Sequence, residues 1–438
     1  MKNTPIPADI VNKCVAESGI KEVGKASIRE VKRLINDIEK ASGKEFVRME
    51  MGIPGLPPCH VGVEAQIKAL QNGVAAIYPD IEGIPDIKTE AARFVKNFID
   101  LDVNPENCIP TVGSMMGGMA GFMTFVRANK ERDTTLFIDP GFPVQKQQHR
   151  VMGLKYETFD VYNYRGSKLR AKLESYLEKG NIHTIMYSNP NNPSWICFTE
   201  EELQIIGEMA NKYDVFVFED LAYFGMDFRH NISTPGIPPY QPSVGKYTDN
   251  FALLISGSKA FSYAGERIAL LILSNKMYNR EFPDLVPYFN TPKLGRAIIY
   301  GTVYAISSGV AHSAQYAMAA ILKACNDGTY NYIDDVKEYG EKAAIMKKMF
   351  TDNGFVIVYD KDGDQPLADG FYFTVAYPGM TSSELLAEFL YYGISAISLS
   401  TCGSERNEGL RACVSLTPRS QFPMLEERLK SFNENHRN

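Results

Sequence analysis

One lysine in the chain lies among the residue types that a covalent cofactor site needs. Lys259 follows the apolar run 251–255 and the serines Ser256 and Ser258, and Arg267 comes just before a second apolar run. A lysine at the end of a buried strand is poorly solvated, so its pKa should fall and its amine should become nucleophilic. Hydroxyl groups and an arginine can bind a phosphate. The segment predicts a Schiff base with pyridoxal phosphate, although by itself it fits equally well a lysine that reaches solvent.

The elements that would position this lysine are short apolar runs that alternate with helical segments. The candidate strands are 108–111, 136–138, 156–159, 184–187, 215–218, 252–255 and 268–273. Several amphipathic segments lie between them, and 199–213 begins Thr-Glu-Glu-Glu like a capped helix. We therefore expect an α/β fold whose large domain has a mostly parallel, seven-stranded sheet with helices on both faces.

The two ends of the chain have a more helical pattern. Apolar spacing over the first ~45 residues predicts a helix that ends at Gly43, and a long helical region follows residue 300. A second alternation predicts a smaller α/β domain with candidate strands 355–359, 370–375 and 410–414. We assign an N-terminal helical segment of the small domain, the large cofactor-binding domain and the small C-terminal domain to 1–49, 50–325 and 326–438.

Two loops after predicted strands carry groups that could hold a cofactor, since ligands bind at the carboxyl ends of parallel strands. Gly113, Ser114 and Met115 begin an apolar helix, where small residues expose backbone N–H groups to an anion. The same glycines could serve helix packing alone. The turn 139–143 could present Phe142 as a flat face for a cofactor ring, or bury it as a core aromatic residue.

Two later loops carry an amide and a carboxylate. Asn192 lies in a turn rich in asparagine and proline, where its amide could donate to a phenolate oxygen or serve only the rigid turn. Asp220 follows an apolar strand and precedes Tyr223 by three residues. A carboxylate at that position is costly unless it is paired, and a protonated pyridine nitrogen would be a suitable partner. Capping of the next helix is the alternative.

The order of these groups along the chain resembles that of the class I aminotransferase family of fold-type-I, pyridoxal-phosphate-dependent enzymes (aspartate-aminotransferase-like). A phosphate loop, an aromatic residue, an asparagine, an aspartate with a tyrosine, and a lysine with an arginine follow one another over nearly the whole chain. The matching motifs are Asn192-Pro193, Asp220-x-Ala222-Tyr223, Ser256-x-Ser258-Lys259-x7-Arg267 and the stretch from Tyr78 to Pro85. The resemblance implies an aminotransferase.

The resemblance also implies a role for each matching residue. Lys259 would hold the cofactor as a Schiff base and then act as general acid and base. Asp220 would keep the pyridine nitrogen protonated, Asn192 and Tyr223 would hydrogen-bond the 3′-oxygen, and Phe142 would stack on the ring. The phosphate would be bound by Gly113, Ser114, Met115, Ser256, Ser258 and Arg267.

Substrate binding and assembly are implied in the same way. Arg411 would bind the substrate α-carboxylate with its two-pronged guanidinium, together with Asn192 and the Gly52 segment. A solvent-facing strand arginine is the alternative for Arg411, and Arg406 is the second choice. In relatives Tyr78 reaches the phosphate of the partner subunit, which implies a homodimer with shared active sites.

The reaction and the substrate follow less directly from these residues. Transamination from an L-amino acid, aspartate or a broader range, to a 2-oxo acid is the expected reaction. A lyase, a decarboxylase or a cyclopropane-forming synthase on the same fold is the alternative. A non-catalytic regulator that senses an effector is a remote alternative. Lys293 or Arg296 could bind a side-chain carboxylate of the substrate. Trp195 stands at a position where the family usually has glycine.

Composition limits the other classes of function. The net charge of −6 and the scattered basic residues give no reason to expect a nucleic-acid partner. The seven dispersed cysteines and six histidines show neither a disulfide pattern nor metal spacing, so we expect no metal and a reducing, cytoplasmic location. The polar segment Met1–Asp9 is unlike a signal sequence, and no apolar run is long enough to cross a membrane.

Overall fold

The computed structural model describes residues 4–437. Residues 1–3 and 438 lie outside the described residues. Residues 1–3 belong to the predicted segment 1–49 and its polar N-terminus, and residue 438 belongs to the predicted segment 326–438. In the described part of the chain the strands are β1 Val47–Arg48, β2 Cys108–Val112, β3 Thr134–Asp139, β4 Lys155–Asp160, β5 Ile182–Ser188, β6 Phe216–Leu221, β7 Phe251–Ser256, β8 Ile268–Leu273, β9 Val356–Ile357, β10 Lys361–Asp362, β11 Gln365–Pro366, β12 Tyr372–Ala376, β13 Ile394–Ser395, β14 Ile397–Ser398 and β15 Leu410–Cys413. The α-helices are α1 Ala8–Glu17, α2 Ile28–Ser42, α3 His60–Gln71, α4 Pro85–Ile99, α5 Gly113–Ala128, α6 Pro143–Met152, α7 Lys168–Leu177, α8 Glu200–Tyr213, α9 Gly257–Ala260, α10 Asn275–Asn279, α11 Val286–Phe289, α12 Leu294–Arg296, α13 Tyr304–Ser307, α14 His312–Asn326, α15 Tyr332–Asp352, α16 Ser382–Tyr391 and α17 Phe422–His436.

The predicted seven-stranded sheet is confirmed, in the order β2-β8-β7-β6-β5-β3-β4. Each of the seven predicted strands overlaps one strand of this sheet. The pairs from β4 through β3, β5 and β6 to β7 are parallel, and β8 runs antiparallel to both of its neighbours. The fold is therefore the expected α/β type with a mostly parallel sheet.

Helices cover both faces of the sheet, as the continuous apolar runs predict. Alternate residues of β7 join different hydrophobic clusters: Leu253 and Ile255 pack in one, and Ala252 and Leu254 pack in the other. Since neighbouring side chains of a strand point to opposite faces, both faces of β7 are buried. Helix α5 packs against β2, β7 and β8 on one face.

A second sheet has the order β14-β15-β12-β9, with all its pairs antiparallel. Strand β1 pairs in parallel with β13, which joins the N-terminal segment to the C-terminal part of the chain. Helix α2 adds Val31, Leu34 and Ile35 to a cluster that also contains Leu390 and Ile397. The smaller α/β unit therefore includes both ends of the chain, as predicted.

The N-terminal prediction was wrong in one respect, because two helices stand where one was expected. Gly19 has φ +73° between them, a conformation that glycine adopts without strain. Helix α2 begins at a capping box, in which the Ser27 hydroxyl accepts from the Glu30 N–H and the Glu30 carboxylate accepts from the Ser27 N–H. It ends at Gly43, as predicted. Among residues 4–437, no helix has the length and apolar content needed to cross a membrane.

Candidate active site

The candidate residues follow the carboxyl ends of several strands at one edge of the large sheet. Ser114 follows β2, Phe142 follows β3, Asn192 follows β5, and Lys259 follows β7, while Asp220 is near the end of β6. Arg267 precedes β8, and because β8 is antiparallel its amino end lies at the same edge. The topology thus collects residues that are distant in sequence.

Lys259 lies in the short helix α9, directly after β7. The Ser256 hydroxyl accepts a hydrogen bond from the Ser258 N–H at 3.1 Å, which turns the chain at the end of the strand. The Lys259 Nζ donates to the Gly52 carbonyl at 2.6 Å. Desolvation, together with the positive charges of Arg267 and Arg411, lowers the pKa of Lys259 to about 8. The amine is therefore more readily deprotonated, and so more nucleophilic, than an ordinary lysine.

The first turn of α5 and Arg267 form a small cradle of hydrogen-bond donors. Gly113 has φ +68°, and a Cβ there would lie 2.5 Å from Nη2 of Arg267, so only glycine allows this approach. The hydroxyl of Ser114 is buried and lacks a hydrogen-bond partner within residues 4–437. A buried hydroxyl without a partner is costly, unless a ligand supplies one. The donors of this cradle suit an anion at a helix N-terminus.

Asp220 is a buried carboxylate. It accepts from the Ala222 N–H at 3.1 Å and from Gln145 Nε2 at 3.0 Å. Desolvation raises the pKa of Asp220 to about 6, although both donors oppose the shift. Within the described chain no cation contacts it, so a cationic ligand group would stabilise its charge.

Tyr223 and Tyr372 are buried with their hydroxyl oxygens 2.7 Å apart. Burial raises the pKa of both hydroxyls, so both keep their protons at neutral pH. The two rings meet edge to face, with centroids 5.4 Å apart. The pair links the end of β6 to β12 of the smaller sheet.

Arg411 in β15 is almost fully buried, at 1% exposure. Its Nη1 donates to Asn192 Oδ1 at 3.4 Å, and its Nη2 donates to the Glu50 carbonyl. Its guanidinium lies 4.7 Å from the centre of the Tyr372 ring. The Nε has no partner within residues 4–437, so its N–H is available to a ligand in addition to the remaining N–H groups of Nη1 and Nη2. Burial of an arginine with a free donor is typical of a carboxylate site.

Trp195 fills the space between the large sheet and the smaller one. It is buried at 1% exposure, has φ +64°, and packs edge-on against Tyr223 and Tyr372. A Cβ on Gly370 would lie 2.1 Å from the indole, so the glycine is needed for this contact. The residue that departs from the family pattern therefore supports the tyrosine pair.

Phe142 and Met115 lie near the site with less specific contacts. Phe142 is partly buried and directly precedes α6, the helix that carries Gln145. The carbonyl of Met115 accepts from Gln148 Nε2 at 2.7 Å. Phe142 therefore lies in the predicted turn, and Met115 lies in the first turn of α5.

Four candidates lie outside this cluster of described residues. Tyr78 is 92% exposed. Arg406 pairs with Glu408 and lies over the Tyr162 ring. Lys293 and Arg296 are exposed, and the Arg296 guanidinium lies 5.1 Å from the centre of the ring of Tyr300, itself an exposed residue.

Three contributors were missed by the sequence analysis: Gln145, Tyr372 and the Glu50 carbonyl. Gln145 follows the aromatic Phe142 by one helical turn, a spacing that could have placed it near Asp220. Tyr372 lies in a correctly predicted strand, but no motif distinguishes it. A backbone carbonyl leaves no signal in the sequence. Residues 4–437 contain no group of three or more His, Cys, Asp or Glu side chains that could hold a metal ion.

Comparison with known proteins agrees with this geometry. The profile of the family "Aminotransferase class I and II" matches residues 44–421. The chain is 26% identical over 255 residues to a probable aspartate aminotransferase of Methanocaldococcus jannaschii, covering 58% of this chain and 63% of that protein. It is 23% identical over 330 residues to an LL-diaminopimelate aminotransferase of Natranaerobius thermophilus, covering 74% and 76%.

Solved structures show the same fold at low sequence identity. A Thermus thermophilus aspartate aminotransferase double mutant matches with a TM-score of 0.73 and 16% identity, over 96% of this chain and 98% of that one. An alanine aminotransferase from Pyrococcus furiosus matches with a TM-score of 0.74 and 19% identity, over 93% and 97%. With a family match over most of its length, this chain belongs to the class I and II aminotransferases.

Proposed function

We propose that the protein is a pyridoxal-phosphate-dependent aminotransferase that moves an amino group from an L-amino acid to a 2-oxo acid. The proposal rests on the environment of the Lys259 amine. This amine has a lowered pKa, to which the charge of the buried Arg411 contributes, and it donates a hydrogen bond to the Gly52 carbonyl. A nucleophilic amine and a carboxylate-binding arginine in one cluster suit the chemistry of α-amino acids.

The chemistry of the residues in the cluster fits pyridoxal phosphate, independently of the resemblance to known aminotransferases. The unpartnered Ser114 hydroxyl and the Gly113–Arg267 cradle suit its phosphate, with Ser256, Ser258 and the Met115 backbone beside them. Asp220, which has no cation among the described residues, suits its ring nitrogen. When bound, this cofactor supplies an electron sink for the carbanion formed at the substrate Cα.

The chain's own residues supply binding and proton transfer. Lys259, with its lowered pKa, accepts and returns the proton at the substrate Cα. Asp220 would hold a proton on the ring nitrogen of the cofactor by its negative charge. Asn192 and Tyr223 would bind the phenolic oxygen of the cofactor, and Phe142 would cover a face of its ring.

For the substrate, Arg411 binds the α-carboxylate, assisted by Asn192 and by the Gly52 segment. The relatives are named for aspartate and LL-diaminopimelate, and a yeast relative is named a probable kynurenine–oxoglutarate transaminase. We therefore propose aspartate or a broad range of L-amino acids as donors. Within the described chain Lys293 and Arg296 do not contact the cluster around Lys259. These two residues therefore do not bind a side-chain carboxylate of a substrate in the active site of their own subunit.

We further propose a homodimer with shared active sites. Tyr78 is 92% exposed, and Ile77 and Tyr304 are exposed as well, which supports burial against a second copy. A cytoplasmic location is supported by the seven cysteines, all buried and free. The division at 1–49, 50–325 and 326–438 is supported by separate hydrophobic clusters around the two sheets.

The proposal is tested with purified protein that has been incubated with pyridoxal phosphate. A panel of L-amino acids is added, with 2-oxoglutarate as acceptor, and each new amino acid and oxo acid is quantified. We expect stoichiometric exchange in the wild type and none in Lys259→Ala. Release of ammonia or carbon dioxide without an acceptor would indicate a lyase or a decarboxylase. Absence of cofactor uptake would contradict the proposal.

A further inference from the structure

Tyr372 lies at the centre of the site. It is 1% exposed, and its hydroxyl is 2.7 Å from that of Tyr223. Its ring lies under the Arg411 guanidinium, 4.7 Å away. A Cβ on Gly52 would be 1.9 Å from the Tyr372 hydroxyl, so that hydroxyl also lies against the backbone that accepts the Lys259 amine. One side chain thus touches three parts of the proposed site.

The surroundings hold the two tyrosine hydroxyls in place. The Trp195 indole packs edge-on against both rings, with centroids 5.4 Å from Tyr223 and 6.0 Å from Tyr372. Phe371 packs against both rings as well, with centroids 5.5 Å and 5.1 Å away. Since interiors are close-packed, neither hydroxyl can turn to solvent without disturbing this aromatic cluster. Within residues 4–437 each hydroxyl has the other as its hydrogen-bond partner.

The direction of this hydrogen bond has a consequence for the site. The pair has two protons, and only one of them can lie between the two oxygens. If Tyr223 donates to Tyr372, the Tyr223 proton is used within the pair. If Tyr372 donates, Tyr223 accepts and keeps its own proton for a third group. A hydroxyl that accepts a hydrogen bond is also a stronger donor, by roughly 10–30%.

We propose, building on the function given above, that Tyr372 is a positioning residue that donates to Tyr223 and directs the Tyr223 proton toward the phenolic oxygen of pyridoxal phosphate. A hydrogen bond to the phenolic oxygen would reduce the negative charge on that oxygen. Because this negative charge attracts the proton on the Lys259 nitrogen, the proton would then be lost at a lower pH. Tyr372 therefore lowers the pH at which the bound cofactor changes its absorbance, and it acts only through Tyr223.

The test is a spectrophotometric pH titration of the substrate-free protein loaded with pyridoxal phosphate. Tyr372→Phe keeps the ring and its packing and removes only the hydroxyl. We expect it to raise the pH of the absorbance change by roughly 0.1–0.7 unit, which corresponds to 10–30% of the free energy of a hydrogen bond to a charged group. Tyr223→Phe should raise it further, and the double variant should equal Tyr223→Phe alone.

Tyr187→Phe is the matched control. Tyr187 is a buried tyrosine whose hydroxyl donates to Glu219 at 3.1 Å, outside the cluster, so its loss should leave the titration unchanged. An unchanged titration in Tyr372→Phe, or a double variant whose shift is the sum of the single shifts, would overturn the role of Tyr372 and leave the proposed function intact. A wild-type protein that takes up no cofactor would overturn both proposals.

Discussion

Asp220 allows a quantitative prediction, because its charge is buried before any cofactor binds. Burial raises the pKa of Asp220 from 3.8 to about 6, a shift that corresponds to about 3 kcal/mol. The folded-state pKa lies above the unfolded one, so the protonated side chain stabilises the fold. This contribution is complete below about pH 4 and is lost as the pH rises through about 6.

The perturbation is Asp220→Asn, which removes the charge at nearly constant size. In protein prepared without pyridoxal phosphate, we expect the variant to be up to about 3 kcal/mol more stable than the wild type above about pH 7, and equally stable near pH 4. With an unfolding entropy of about 2.1 cal/mol/K per residue, the thermal midpoint should rise by about 3 °C in a chain of this length. The affinity for pyridoxal phosphate should fall, because the carboxylate no longer stabilises the ring-nitrogen proton.

Glu219→Gln is the matched control on the opposite face of β6. Burial raises the pKa of Glu219 to about 7, and its carboxylate accepts from the Ser243 hydroxyl at 2.6 Å. This variant should also gain stability as the pH rises, but with unchanged cofactor affinity. Two results would refute this prediction: a stability difference between Asp220→Asn and the wild type that does not vary between about pH 4 and 8, or an Asp220→Asn protein that binds the cofactor as tightly as the wild type.

Three further substitutions test the remaining parts of the site. Gly113→Ala should weaken the binding of pyridoxal phosphate about tenfold and leave the binding of pyridoxal unchanged, because it displaces only the groups that donate to the phosphate. Both affinities are measured by equilibrium titration, and equal losses for the two ligands would contradict a phosphate site at Gly113. Arg411→Lys should raise the KM for the amino acid at least tenfold and leave the cofactor spectrum unchanged, because lysine lacks the two-pronged geometry of a guanidinium. An unchanged KM would show that Arg411 does not bind the substrate. Gly370→Ala should destabilise the fold by about 3 kcal/mol in thermal unfolding, since its Cβ overlaps Trp195. Gly118→Ala, with 3.7 Å to the nearest atom, is the control that should not destabilise the fold, because alanine also favours a helix more than glycine does.

The large sheet could be predicted from the sequence because its strands are buried on both faces. Such strands read as continuous apolar runs, and β8, for example, is apolar at every position. Ligands bind at the carboxyl ends of parallel strands, so the positions of Lys259 and Asp220 next to these runs already indicated one site. The structure brings them to the same edge of the sheet.

The smaller sheet was predicted less well because its strands are short. Strand β9 covers only Val356–Ile357 of the predicted 355–359, and the two-residue strand β14 was missed. Strands of this length have no measurable alternation of polar and apolar residues. Their pairing is set by tertiary packing.

The contacts between the two sheets could not be predicted from the sequence. Tyr223 and Tyr372 are 149 residues apart, and their hydrogen bond follows from how the sheets pack. The φ of +64° at Trp195 is unusual for a bulky residue, and its indole packs against Gly370, 175 positions later in the chain. The Glu50 carbonyl contacts Arg411 through the backbone, which residue types do not reveal.

Identification of the lysine that binds the cofactor tests the central claim most directly. The protein is incubated with one equivalent of pyridoxal phosphate, reduced with borohydride, digested, and analysed by peptide mass spectrometry. We predict that the label lies on Lys259, the amine whose pKa burial lowers to about 8, and that Lys259→Ala takes up none. A label spread over surface lysines, or equal labelling of Lys259→Ala, would contradict the account.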